Sequence, residues 1–397
     1  MTIPRREFLH SAGMCLGGLA TFGFPEVRFA DVRQDGRLVF VLLRGGFDGL
    51  AAVAPTFDPG WRDLRGPLAA DPEELLELAD GFALTPGLGP LRQFWDRDEL
   101  LVLHAMAIPF RTRSHFDGQA ILETGLDQPE GSADGWLNRL LSIMEGRRSG
   151  IAIAAGMPRS LAGSVEVSSW SPTELGVVED AYLDRLSVLY RSDPALQGRF
   201  EAALGMLDVG EEPRAMGVGG ERGGRRPGTD TSSLFRAAAR LMTAPDGPNV
   251  AAMEFSGWDT HANQGGVGGN LDRQLGRLAT GLAAFREAMG EQWPGTTVVV
   301  MTEFGRTARP NGTGGTDHGT AGAGFVIGSR VSRSRVVADW PGLGPRELFE
   351  NRDLAPTLDT RAVLKGVLAG TFDLTTTQAG RVFPGSAGVR GLWDLMT

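Results

Sequence analysis

Leu38-Val39-Phe40-Val41-Leu42-Leu43 runs without a break into Arg44-Gly45-Gly46-Phe47-Asp48-Gly49. Six apolar residues closed by a glycine turn are what a strand buried on both faces requires. The switch to Arg, Gly and Asp marks a tight turn that delivers charge at the strand's end. Four further runs have the same character, at residues 100–106, 151–155, 250–255 and 297–302, and shorter ones lie at 325–327 and 336–337. Helical patterns fall at 72–78, 117–123, 135–144, 179–204, 271–289 and 354–368. The alternation predicts an α/β fold, a doubly wound, mostly parallel sheet with helices on both faces.

Polar residues gather where those runs stop. His104 lies within the second run, which leads into Arg111-Thr112-Arg113-Ser114-His115-Phe116-Asp117. The run at 250–255 ends in Ser256-Gly257-Trp258-Asp259-Thr260-His261, and the run at 297–302 in Glu303-Phe304-Gly305-Arg306, with Gly315-Thr316-Asp317-His318-Gly319 beyond. Carboxyl ends of parallel strands converge on one crevice, and ligands bind there. Asp259 and His261 stand two apart in a glycine-flanked turn, so in extended backbone both reach one ion. Asp317-His318 is a second such pair. Together the pairs favour a metal; His104, alone in a strand, reads as a hydrogen-bonded core residue.

Composition narrows the chemistry. The 397 residues carry 39 Lys+Arg against 48 Asp+Glu, a net charge of −9, which argues against a nucleic-acid partner. The only lysine is Lys365, so lysine-based phosphate binding or Schiff-base chemistry is nearly excluded and an oxyanion would meet arginine forks. Hydrophobic residues make up 42%, enough for a large core, and beyond the N-terminus no apolar run is long enough to span a bilayer.

Pro4-Arg5-Arg6-Glu7-Phe8-Leu9, followed by a mildly apolar Gly/Ala-rich run, resembles a twin-arginine export signal over residues 1–30. Export by the twin-arginine translocase would place the protein in the periplasm or outside the cell. Its removal takes away Cys15, the only cysteine, so a metal would have imidazole and oxygen ligands. The rest, 31–397, reads as one domain with a Gly/Arg-rich insertion at about 205–233.

Residues 43–50, Arg113-Ser114-His115-Phe116, Gly257-Trp258-Asp259-Thr260-His261, 302–307, Gly315-Thr316-Asp317-His318-Gly319 and Asn351-Arg352-Asp353-Leu354-Ala355-Pro356-Thr357 together resemble the exported bacterial family known as domain of unknown function 1501. That family is grouped with the sulfatase-like, alkaline-phosphatase superfamily, whose members hydrolyse phosphate and sulfate esters with one or two metals. The resemblance implies one divalent ion, Zn or Mn, on Asp259, His261 and His318, and a second held or flanked by Asp48, Glu303 and Asp317. It implies Ser114 as nucleophile at a helix start, with Thr112 the nearest alternative hydroxyl. Arg44, Arg113 and Arg306 would clamp the ester's oxygens. Glu303 is followed by Phe304 rather than histidine, so the second ion lacks its usual imidazole unless His115 or Asp317 substitutes.

The leading expectation is an exported metal-dependent hydrolase of phosphate, phosphonate or sulfate esters, acting on a small-molecule or glycan ester. The alternative is a non-catalytic binding or assembly protein that keeps the fold and one structural metal. A phosphoryl-transferring or isomerase relative is a third expectation.

Overall fold

The computed structural model describes residues 35–397 except 132–133, 145–148, 155, 173–185, 188, 192, 194–195, 199 and 202–229. The leader at 1–30, the helix expected at 179–204 and nearly all of the insertion at 205–233 therefore lie outside the described residues or largely so. The insertion's last residues open a helix, Thr231–Thr243.

Twelve strands are described: β1 (Arg37–Leu43), β2 (Val53–Pro55), β3 (Leu76–Glu77), β4 (Phe82–Leu84), β5 (Leu100–Ala107), β6 (Gly150–Ile153), β7 (Ser168–Trp170), β8 (Val250–Phe255), β9 (Thr296–Met301), β10 (Gly322–Ile327), β11 (Arg335–Val337) and β12 (Leu358–Asp359). Nine form the central sheet, in the order β11-β5-β10-β9-β1-β8-β6-β7, with β12 beside the end of β5. β1 pairs in parallel with β8 and with β9. β10 alone runs antiparallel, to β9 and to β5. β2, β4 and β3 make a small separate antiparallel sheet.

Successive side chains of a strand point to opposite faces, and β1 divides accordingly. Val39, Val41 and Leu43 join a core capped by the helices Thr231–Thr243 and Asn270–Met289, through Phe235, Leu271, Leu275, Leu278, Leu282 and Phe285. Leu38, Phe40 and Leu42 face the other core, where the helices His115–Thr124, Trp136–Ile143 and Thr360–Phe372 supply Ile121, Trp136, Leu140, Val363 and Phe372. Both faces of the sheet are covered, so its central strands are apolar throughout, the pattern of the opening run.

Two of the expected helices differ. Residues 72–78 form a 3-10 turn, Pro72–Glu74, followed by β3, because the segment pairs with β4 instead of continuing as a helix. The helix expected from 354 starts at Thr360, after Pro356 has biased the preceding backbone to extended form and Asp359 has capped the first turn. The short strands β2, β3, β4, β7 and β12 carry too few residues to show a period.

Candidate metal centre

The ends of β1, β8 and β9 are neighbours in the sheet and open onto one edge. β10 enters from that edge, so the segment before it, with Asp317 and His318, arrives at the same place. The turn after β1 leaves little room. A Cβ on Gly45 (φ +129°) would lie 2.4 Å from the Asp259 backbone nitrogen, and one on Gly46 (φ +76°) 2.6 Å from the Phe304 ring. Phe304 in turn packs on His115 and His318, with ring centroids 4.9 and 5.1 Å apart.

Three imidazoles and a carboxylate converge here. His318 Nε2 lies 3.0 Å from His115 Nε2, 2.9 Å from His261 Nε2 and 3.1 Å from Asp259 Oδ1. His261 Nε2 is 3.0 Å from Asp259 Oδ1, and His115 Nε2 is 3.4 Å from Asp259 Oδ2. The opposite nitrogen of each ring has a partner of its own. His115 Nδ1 is 2.9 Å from Glu303 Oε1, His261 Nδ1 is 3.0 Å from Asp317 Oδ1, and His318 Nδ1 is 3.1 Å from the Arg113 carbonyl.

The chemistry of those partners sets the tautomers. A carbonyl or carboxylate oxygen accepts, so each Nδ1 carries the hydrogen, and a neutral ring then presents a bare lone pair at Nε2. The Nε2 lone pairs of His115 and His261 then each face that of His318 and an oxygen of Asp259, with no hydrogen between the ring nitrogens. A cation would supply what is missing. Nitrogen and oxygen donors about 2.0–2.1 Å from a tetrahedral zinc stand roughly 3.3 Å from one another, close to the separations found among His115, Asp259 and His318, whose donor atoms all lie within 4.8 Å of one another. The set fits a zinc-like ion, and outer hydrogen bonds that fix ring orientation are the usual support of such ligands.

The outer shell is well anchored. Glu303, fully buried at the end of β9, accepts from the Gly45 backbone, His115 and Gln119 through Oε1, each at 2.9 Å, and from Thr302 through Oε2. Burial opposes its charge, and the hydrogen bonds from His115 and Gln119 outweigh it, holding the carboxyl below its ordinary value. Asp317 is held below its ordinary value by Asn311 and then by His261. For Asp259, partial burial works against the charge, but Arg306, whose Nη1 donates to Oδ1 at 2.6 Å, more than compensates. His115 is shifted up, chiefly by its hydrogen bond to Glu303, whereas burial and the neighbouring His115 shift His318 down.

The remaining expected residues lie around this centre rather than in it. Asp48, fully buried, accepts from Arg65 Nη2 at 2.6 Å, from Gln264 Nε2 at 2.7 Å and from the Ala51 backbone as a helix cap. Glu303 and Asp317 contact the far nitrogens of His115 and His261, so they orient candidate ligands. Arg306 is buried on Asp259, the Gly45 carbonyl and Thr316. Arg44 bonds to Gln119, Glu123 and Glu254. Arg113 bonds to Glu350 and Asp353. All three arginines expected as clamps have carboxylate partners within the protein. Ser114 caps the helix His115–Thr124, its Oγ accepting from the Asp117 backbone at 3.4 Å. Gln119, Asn311 and Thr316 were not singled out in the sequence; neutral amides and hydroxyls carry no spacing signal.

His104 is set apart. It is buried in β5, with Nδ1 accepting from the Ala105 backbone at 2.8 Å and Nε2 facing the Val53 carbonyl at 3.0 Å. Burial pushes its pKa down to about 4.

By fold the chain is similar to the C-terminal periplasmic domain of EcEptC from Escherichia coli in complex with Zn, at 12% identity over 75% of this chain and 73% of that one, with a TM-score of 0.35. It is similar to Ps i-CgsB in complex with k-i-k-neocarrahexaose, at 10% identity over 90% and 77%, with a TM-score of 0.39. It is also similar to the phosphonate monoester hydrolase of Agrobacterium radiobacter, at 13% identity over 73% and 68%, with a TM-score of 0.31. No curated protein matches the sequence. The model of the family described as Protein of unknown function (DUF1501) matches residues 104–384, a span that contains all four converging side chains, and the chain belongs to that family.

Proposed function

We propose that this chain is an exported metal-dependent hydrolase of phosphate, phosphonate or sulfate esters. The observation that carries the reading is the gathering of His115, His318 and Asp259 donor atoms within 4.8 Å of one another at the sheet edge, with His261 Nε2 2.9 Å from His318 Nε2. His115, His261, His318 and Asp259 would hold a divalent ion, zinc in preference to manganese given three imidazoles. Such an ion supplies Lewis-acid polarisation of an ester oxygen. The side chains of the four donors are 26–43% exposed, so the point faces solvent, where an ester can reach it.

The chain's own contribution is orientation. Glu303, Asp317 and the Arg113 carbonyl keep the hydrogens on Nδ1, and Arg306 holds Asp259 ionised. Ser114 stands next to His115 at a helix N-terminus, where an attacking oxyanion is favoured, and is the nucleophile of this reading, with Thr112 its competitor.

One observation favours a second reading. Four protein donors fill a tetrahedral ion, the arrangement of structural sites, and Arg44, Arg113 and Arg306 are committed elsewhere. The protein would then be a non-catalytic exported binding protein with a structural metal.

The test is elemental analysis of the purified chain, followed by turnover of aryl phosphate, phosphonate and sulfate with and without a chelator. One ion per chain and chelator-sensitive turnover are expected. Bound metal without turnover on any ester favours the second reading, and no metal sinks both. Changing Arg5 and Arg6 together to Lys is expected to leave precursor in the cytoplasm, read by cell fractionation.

A further inference from the structure

The segment 351–357 takes no part in the centre as described, yet Asp353 within it is fully buried and charged. Its Oδ2 accepts from Arg113 Nε at 2.8 Å, Arg113 Nη2 at 2.7 Å and Thr320 Oγ1 at 2.8 Å, and its Oδ1 from Arg352 Nε at 2.9 Å. Each of these partners touches His318 or its immediate chain. The Arg113 carbonyl takes the His318 Nδ1 hydrogen, Arg352 Nη2 donates to the His318 carbonyl, and Thr320 lies two residues beyond. Arg113 holds φ at +59°, a left-handed conformation that a side-chain-bearing residue adopts at a cost, kept when the surroundings enforce it.

We infer that Asp353 is a positioning residue of the metal centre: through Arg113, Arg352 and Thr320 it fixes the place and tautomer of His318. Arg113 works through its backbone. Its guanidinium is tied to Asp353 so that its carbonyl stays where Nδ1 of His318 needs it. Arg352 steadies the same ligand from the main-chain side. The inference rests on the metal centre proposed above and is independent of the reaction performed there.

Zinc affinity, measured by chelator competition on the full chain, tests it. Asp353→Asn keeps the shape but removes the charge that holds two guanidiniums, and is expected to bind zinc about 10–100-fold more weakly, the usual loss when a ligand's outer partner is removed. The visible spectrum of the Co2+-loaded variant is expected to shift, reporting altered donor geometry. Adding Arg113→Gly to Asp353→Asn is expected to recover part of the affinity, because glycine adopts the left-handed conformation without being held there. A general loss of stability would not be rescued in this way. Should Asp353→Asn fail to fold, Arg352→Gln, at a half-exposed site, decides: weaker zinc binding supports the inference and wild-type affinity overturns it. Wild-type affinity and an unchanged Co2+ spectrum in folded Asp353→Asn overturn it outright. Zinc binding by the wild type without ester turnover sinks the hydrolase reading and leaves this one standing, whereas a wild type that takes no zinc sinks both.

Discussion

His104 and the three histidines of the sheet edge are the same residue in opposite circumstances. His104 uses both nitrogens within the protein, accepting from the Ala105 backbone at one and meeting the Val53 carbonyl at the other, in a pocket walled by Phe82 and Trp340. Each of the other three uses only Nδ1 in this way and leaves Nε2 aimed at its fellows. Counting satisfied nitrogens therefore separates a structural histidine from a candidate ligand more sharply than burial does.

The largest expected effect comes from breaking the cluster. His318→Ala and His261→Ala should each weaken zinc binding by more than roughly 100-fold, beyond what loss of an outer partner costs, whereas His104→Gln should leave metal content unchanged in the same assay. Equal losses in all three variants would erase the contrast.

The second effect lies on the other side of the comparison. Buried His104 stays neutral down to about pH 4 in the fold, whereas the unfolded chain takes up the proton near 6.5. The unfolded state thus binds more protons between those values, and stability falls as pH drops from about 6.5 towards 4, by about 3 kcal/mol in total. Denaturant unfolding of metal-free protein across this range should show that slope in the wild type and lose it in His104→Gln.

A smaller effect is expected for Asp317→Ala, which frees His261 Nδ1: zinc binding about tenfold weaker, with denaturant midpoint nearly unchanged because the side chain is half-exposed. Smallest on stability and metal binding is Ser114→Ala. Loss of the helix cap should cost about 1 kcal/mol with zinc retained. Turnover of an aryl ester by the same variant separates capping alone from a nucleophile's role, which would cost on the order of 100-fold or more.

Much of this was legible before any coordinates. Long apolar strands announce themselves, as 38–43 does, and Asp259 with His261 and Asp317 with His318 stand out as glycine-flanked donor pairs, with His115 close by a hydroxyl. What spacing could not convey was which charges cancel. Arg44 meets Glu123 and Glu254 across 79 and 210 residues, Arg306 meets Asp259 across 47, and Asp48 is matched by Arg65. A charge at a strand end is a candidate for substrate or metal until its distant partner is known. Arginines expected to grip an ester turned out to hold the protein's own carboxylates, and Asp48 and Glu303 turned out to serve buried networks.

The single reversed strand, β10, has a consequence for how the molecule is made. His115 and His318 are 203 residues apart in the chain, and His318 reaches the edge only because β10 slots between β5 and β9. Closing so long a loop is slow and entropically costly, so an ion at this centre would not act as an early template for the chain. It would record completion: a molecule able to capture a metal ion there would be one whose central sheet is already fully threaded.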